Sequence, residues 1–376
     1  MIAFFSNFFN HHQNPVAQEL YRITEGAFYF IETQPLPNSY KKTGYPDFSN
    51  EPFVIKSWRG SDELLRAKEL AMDADVVLYT PDAIDIVKPR LMTSKLSFDV
   101  GERWFKQGFK NIFSYTLIKM QWVYHFQINK ESNYKLCASA YGSNDQKLMH
   151  SFVHKCYKWG YFTKVDPLEV PKLQVPRNGK VFSMMWCARM IGWKHPELPI
   201  KLAAKLKSSG LTFVLNMYGE GVLKPKIINM ASSYDVDDVV NFCGNVPNDI
   251  VLREMRNHDV FLLTSDRNEG WGAVANEAMA NGCVLVGSNE VGAVPYLLNH
   301  QRNGMVFKSK DINSLYDSVK YLIDNPDKRQ EMANNAYETI STTWSPTNAA
   351  KNLLCLIDSL QKGKLSPIIE GPCSLA

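Results

Sequence analysis

The sequence predicts an α/β protein made of two doubly wound parallel sheets, one in each half of the chain. Three observations predict it. Short apolar, β-rich runs alternate with helix-period segments almost from end to end. A proline-rich stretch divides that alternation into two series. At 376 residues, 45% of them hydrophobic and 21% charged, the chain is long enough for two domains and apolar enough to bury a core in each.

In the first series Ile2–Ser6 reads as a short buried strand. Pro15–Thr24 follows as a helix, because proline at a helix start gives up an N–H that has no partner there anyway. Ala27–Thr33, Val76–Thr80, Lys95–Asp99 and Leu136–Ala140 are the next strands. Asp166-Pro167, Pro171 and Pro176 then fall within eleven residues and end in Arg177-Asn178-Gly179-Lys180, which is linker composition. The second series is cleaner. Val181–Cys187, Thr212–Tyr218, Val239–Phe242, Val260–Thr264 and Val284–Gly287 read as strands, with helices at Pro199–Ser209 and Val222–Ser232. The expected division is a domain over 1–165, a linker over 166–180, a second domain over 181–345, a helix over 346–362 and a tail over 363–376. Ligands of open parallel sheets bind beyond the carboxyl ends of the strands, so the functional loops are expected to face a cleft between the domains.

Composition narrows the function. Lys plus Arg is 42 and Asp plus Glu 38, a net +4 that argues against a dedicated nucleic-acid binder. No apolar run approaches the ~18 to 20 residues of a membrane span, and Met1–Phe5 is too short for a signal peptide. Seven cysteines lie scattered without metal-ligand spacing, as free thiols in a reducing, cytoplasmic compartment would. The charge is uneven, however. Between Ile86 and Lys164 thirteen Lys and Arg face four acids, an excess of +9. Within that region Arg103–Lys130 interleaves bases with Trp104, Phe105, Phe109, Phe113, Tyr115, Trp122, Tyr124 and Phe126. That pattern fits a face lying on an anionic membrane, and it fits equally an amphipathic helix whose aromatics are core and whose bases are solvated.

Chemistry concentrates in Leu263–Gly282, where a strand ends at Thr264 and a helix runs from about Ala273 to Gly282. Between them, Gly270 and Gly272 leave no side chain between backbone and ligand. The helix start offers unpaired N–H groups and the positive end of a dipole, which suit an anion. Glu269 precedes the helix and Glu277 lies one turn into it, and each carboxylate can accept two hydrogen bonds from vicinal hydroxyls. Singly, a loop acid and a dipole-favoured helix acid are ordinary. Together with the glycine loop they describe a ligand with two diol-bearing rings joined by phosphates, which is a nucleotide sugar. The first strand of the second series supplies the cations: Arg189 at its end and Lys194 five residues on.

These residues carry a family resemblance. Glu269 and Glu277 with seven residues between them, in the setting Glu-Gly-Trp-Gly and Asn-Glu-Ala-Met-Ala-Asn-Gly, resemble the signature of the retaining glycosyltransferases of family 4. Arg189 and Lys194 are similar to that family's phosphate grip. Tyr218-Gly219-Glu220-Gly221, Phe242-Cys243-Gly244-Asn245-Val246 and Gly287–Pro295 resemble its other loops, and the likeness covers roughly Val181 to Gln361. It implies a GT-B fold, two Rossmann-like domains facing across a cleft, with the final helix crossing back to the first domain. It implies that Glu269 meets the transferred sugar and Glu277 the ribose. Backbone at Gly270, Trp271, Gly272 and Ala273 would touch sugar and phosphate, with Gly219, Asn245 and Val246 also donor-binding. The reaction implied is retaining transfer of a sugar from a nucleotide-diphosphate sugar, UDP-linked rather than GDP-linked. With Arg189 and Lys194 to meet the diphosphate, neither metal nor other cofactor is expected.

The first domain departs from that family, since many relatives carry a Gly-Gly pair where this chain has Ser6–Pro15. His12 and Gln13 in that loop, and Asp99 at a strand end, are the acceptor-side candidates, with a structural role as the alternative for His12 and Asp99. A glycan or lipid-linked acceptor at the inner face of the membrane fits the basic, aromatic first domain, and capsule or exopolysaccharide assembly is the family analogy. Two other readings compete. A Rossmann-type oxidoreductase lacks its G-x-G-x-x-G after either first strand, and an idle scaffold would not need both acids and both bases.

Overall fold

The structure is a computed structural model and describes residues 1–37, 47, 48, 50–165 and 181–376. The expected linker, 166–180, lies outside the described residues. The chain forms two compact units, one joining Met1–Lys164 to Thr343–Ala376 and the other spanning Val165–Thr342.

The first unit holds seven strands: β1 Ile2–Ser6, β2 Phe28–Glu32, β3 Val54–Lys56, β4 Val76–Tyr79, β5 Ser97–Gly101, β6 Asn133–Cys137 and β7 Cys156–Lys158. They pair in parallel in the order β3-β2-β1-β4-β5-β6-β7. Every residue of β1 is buried, as a strand covered on both faces requires. Phe5, Ile31, Ala67, Val77 and Val87 belong to the core on one side of this sheet. Strand order reverses between β1 and β4, which opens a crevice at their carboxyl ends.

Hydrophobicity misplaced one strand here. Leu136–Ala140 is in fact Asn133–Cys137, because Asn133 and Lys135 are buried polar residues with their partners inside the protein. The Asn133 amide donates to the carbonyls of Leu91 (3.2 Å) and Asn129 (2.7 Å), and Lys135 donates to Asp99 (2.5 Å). The edge strands β3 and β7 escaped notice because three residues carry no readable period. The segment after residue 362 is not a loose tail. Cys373 is fully buried, and Cys373 and Ser374 exchange backbone hydrogen bonds with Lys158 (2.7 and 2.8 Å), closing the exposed edge of β7. The helix Pro346–Gln361 packs on the helix Asn14–Ile23 within this same unit.

The basic excess also needs correcting, because two of its thirteen bases, Arg90 and Lys135, are wholly buried. Arg90 donates to the carbonyls of Ala71, Met72, Ala74, Asp75 and Leu96, stitching a helix end to the start of β5. The aromatics fare differently. Five of the eight in Arg103–Lys130 (Phe109, Phe113, Tyr115, Trp122 and Phe126) stand 57% to 86% exposed, so the segment is not a helix with its rings in the core.

The second unit holds β8 Phe182–Cys187, β9 Phe213–Tyr218, β10 Val240–Gly244, β11 Val260–Leu263, β12 Val284–Ser288 and β13 Met305–Phe307. All pair in parallel in the order β10-β9-β8-β11-β12-β13, so the switch falls between β8 and β11. Helices Glu197–Ser208 and Lys224–Ser233 lie within two residues of their expected bounds. Met184, Trp186, Leu215, Leu262 and Val286 share one buried cluster with the helices over them.

Candidate active site

The second switch point gathers most of the residues singled out in the sequence. Just beyond β8, the backbone of Ala188 donates to Tyr218 (3.1 Å) and that of Met190 to Glu220 (2.8 Å). The approach is close enough to demand glycine. Gly219 has φ +121°, and a Cβ there would lie 2.0 Å from the Ala188 carbonyl oxygen. Arg189, held between these two anchors, is exposed. Its guanidinium carbon lies 6.0 Å from the centre of the Trp193 ring, and Lys194 Nζ lies 4.3 Å from it.

Lys194 ends a short 3-10 turn, Gly192–Lys194. The Thr264 hydroxyl donates to its carbonyl (2.7 Å) and accepts from the Trp186 indole (2.8 Å), which ties the turn to the end of β11. Its ammonium forms an ion pair with Glu269, each side chain 13% exposed. Glu269 is itself set by the loop, its N–H donating to Asp266 (2.9 Å) and its carbonyl accepting from Gly292 (3.4 Å).

Trp271 is completely buried and its indole donates to Asn276 (2.8 Å), so only its backbone can meet a ligand. Gly272 has φ +90°, and a Cβ there would come 2.9 Å from Val291. The helix after it spans Val274–Ala280, with Ala273 at its cap and Glu277 buried in the first turn. Burial pushes the Glu277 carboxyl up to about 7. The Cys187 thiol is pushed up to about 12 by burial and by the charge of Glu277, so it is no nucleophile. Asn245 and Val246 lie between β10 and the helix Asn248–Asn257, Asn245 exposed.

Sequence reasoning missed a brace beside these groups. His195, in a left-handed conformation at φ +50°, sets Nδ1 2.8 Å from Glu197 and Nε2 3.1 Å from Asp266. Lys310 also reaches Asp266, at 3.0 Å. Burial opposes charge on Asp266, but hydrogen bonds from Asn268, His195 and Lys310 outweigh it and hold the carboxyl at about 2. The hydrogen bond to Glu197 raises the His195 imidazole, against burial and with help from Asp266. His195, two residues before Glu197, gave no periodic signal. What marks it is a backbone conformation that only the folded chain reveals.

In the first unit a cavity of about 570 Å³ opens at the β1/β4 switch point, lined by residues of that unit alone. His12 and Gln13 are on its wall. The His12 ring stacks on Tyr161 (5.9 Å, 9° between planes), and the Gln13 amide donates to Ser6 (3.3 Å). Burial, aided by His11, holds His12 well below the usual histidine range, hence neutral. Asp99 is elsewhere. Its carboxylate is buried against Lys135, directly across from it in the sheet.

Two sheets of this topology, each with its polar loops at a switch point, make the GT-B fold. Alr3699/HepE of Anabaena, solved in complex with UDP, shares it over 96% of this chain and 99% of its own at a TM-score of 0.69. Identity is 14%, so the likeness is one of fold. Residues 172–339 match the family Glycosyl transferases group 1. Among curated relatives, an uncharacterized glycosyltransferase of Haemophilus influenzae is 29% identical over 122 residues, 32% of this chain and 34% of that protein. The putative colanic acid biosynthesis glycosyltransferase WcaL of Salmonella typhimurium is 26% identical over 156 residues, 40% of this chain and 38% of its own. The chain thus spans little more than a third of the length of these relatives.

Proposed function

We propose that the chain is a retaining glycosyltransferase that moves a sugar from a nucleotide-diphosphate sugar, UDP-linked, to an acceptor hydroxyl without a metal. The observation that carries this reading is the Lys194–Glu269 ion pair at the β8/β11 switch point, with Arg189 beside it on Trp193. The match of this region to a glycosyltransferase family and the UDP held by a protein of the same fold support it.

The bond between the anomeric carbon and the diphosphate oxygen stretches and breaks, and negative charge grows on the leaving group. Arg189 and Lys194 stabilise that charge where it develops. The acceptor oxygen bonds to the anomeric carbon on the same face, and its proton passes to the departing phosphate oxygen. Glu269 positions the transferred sugar and orients Lys194. Glu277 accepts hydrogen bonds from the ribose hydroxyls, and backbone at Gly270, Trp271, Gly272 and Ala273 approaches sugar and phosphate, as do Gly219, Asn245 and Val246 from their own loops.

Calorimetry of UDP, GDP, ADP and NAD with chelator present tests the donor reading. UDP is expected to bind. A Glu277 carboxyl at about 7 is partly protonated at neutral pH, and ribose hydroxyls favour its charged form. Binding therefore releases protons near pH 7, seen as a buffer-dependent heat that Glu277→Gln removes. Binding of NAD alone, or of nothing, would sink the reading. Proton NMR of the first-formed product reads the retained anomer.

The acceptor side is a glycan or lipid-linked glycan presented at an anionic membrane surface. The exposed rings of Phe113, Trp122 and Phe126 favour the interface, and no acid lies within Arg103–Lys130. Its bases are partly spent, because Arg103 pairs with Asp145, Lys106 with Glu102 and Lys119 with Asp85. No helix among the described residues is long and apolar enough to cross a membrane, so the attachment proposed is peripheral. Co-sedimentation is expected with anionic vesicles more than with neutral ones, and to fall in Phe113→Ala/Trp122→Ala. Indifference to lipid charge would refute it.

A further inference from the structure

Lys194 and Glu269, the ion pair at the second switch point, sit on different loops, one after β8 and one after β11. Asp266 joins the two. Its N–H donates to the Trp193 carbonyl (3.0 Å) and its own carbonyl accepts from Glu269 (2.9 Å). One carboxylate oxygen accepts from the backbone (3.0 Å) and the side chain (2.8 Å) of Asn268. The other lies 3.1 Å from Nε2 of His195, the residue that follows Lys194. His195 is bent into the left-handed backbone, at φ 50° and ψ 56°, where a residue with a Cβ is uncommon. Such a conformation lasts only where its surroundings hold it. Here two carboxylates hold the ring, Asp266 on Nε2 and Glu197 on Nδ1 (2.8 Å).

An ionised carboxylate accepts hydrogen bonds and donates none, so both ring nitrogens need a proton, and only the imidazolium carries two. A neutral ring turns a lone pair on one of its partners. We propose that His195 is a positioning residue: as an imidazolium it clamps the loop of Glu269 to the turn of Lys194, and turnover needs the ring charged. The word turnover rests on the glycosyltransferase reading above. The clamp does not. Around the ring, Glu197 and Asp266 favour its charge, Lys310 shares Asp266 with it (3.0 Å), and Lys201 acts on Glu197. Once the ring is neutral, the only cation left on Asp266 among the described residues is Lys310, which is exposed and a weak tether.

The hydrogen bond to Glu197, against burial and with help from Asp266, raises the imidazole above its ordinary value. The clamp therefore holds below the usual histidine midpoint and is lost as pH climbs through the raised one. Glu277 acts with the opposite sign, since its charged form is the one that binds ribose, so it gives a rising limb where His195 gives a falling one.

The test follows the histidine rings and the Glu269 amide by NMR as pH is raised through neutrality, alongside UDP release from UDP-glucose, UDP-galactose and UDP-N-acetylglucosamine. The Glu269 amide is expected to shift with the His195 ring, and turnover to fall about 10-fold through that same midpoint, the loss of one charge-assisted hydrogen bond. Glu197→Gln should move ring, amide and falling limb together to lower pH. In His195→Gly the amide shift and the falling limb should both vanish, with turnover about 10-fold down throughout. Glycine is at ease in the left-handed backbone, so this change leaves the turn its course. A Glu269 amide indifferent to the ring, turnover that ignores their midpoint, or a falling limb that survives in His195→Gly would overturn the proposal. Protein that neither binds UDP nor releases it from any donor, while ring and amide titrate together, would overturn the transferase reading and leave the clamp standing. Loss of both the coupling and UDP binding would overturn both.

Discussion

Replacing Arg189 with alanine is expected to cut turnover about 100- to 1,000-fold, or roughly 2.7–4 kcal/mol of barrier, the scale of losing one preorganised charge stabiliser. The guanidinium is exposed, so its loss opens no core cavity and leaves no buried partner uncompensated. Backbone hydrogen bonds on either side, from Ala188 and Met190, keep the loop in place without it. Thermal unfolding should therefore stay unchanged while kcat falls, and Arg189→Lys should recover only part, since an ammonium cannot grip two oxygens at once. Near-normal turnover would remove Arg189 from the mechanism. Lys194 makes a poorer probe. Truncating it strands Glu269, which is only 13% exposed, and mixes stability with activity.

Asp99→Ala is expected to cost about 3–5 kcal/mol of folding stability, because it leaves the Lys135 ammonium buried without its counter-charge. The pair is directly cross-strand, with side chains 0% and 2% exposed. Against a total stability of about 5–15 kcal/mol, this is enough to unfold a sizeable fraction of the protein at 37 °C. Denaturant unfolding at neutral pH measures it. Asp99→Asn/Lys135→Met, which removes both charges at nearly the same volume, should recover much of the loss. If Asp99→Ala folded normally and lost only acceptor affinity, the structural account of this residue would fail.

The two residues mark how far the sequence could be read. Arg189, Lys194, Glu269 and Glu277 were legible because a strand end, a glycine loop and a helix start follow one another within a few positions, and local chain geometry places them. Asp99 looked the same on paper, a carboxylate ending a strand. Its partner lies 36 residues away on the next strand, and only sheet register says that the two meet. The brace of His195, Glu197, Asp266 and Lys310 was hidden for the same reason, as were the buried Arg90 and the backbone hydrogen bonds that Cys373 and Ser374 make to β7. The aromatic segment was evenly balanced between core and surface, since composition does not record which way a ring points.

By itself the sequence determined the two parallel sheets, their strand–helix order and the second-unit loop that holds the candidate site residues. The strands, the helices and the loop that holds the candidate site residues follow from periodicity and from short-range backbone preference, which act between neighbours in the chain. Only the tertiary structure decided which charges cancel, which polar atoms stay unpaired and where a cavity opens. Those outcomes depend on desolvation and on contacts between residues far apart in sequence, and neither exists until the chain has folded.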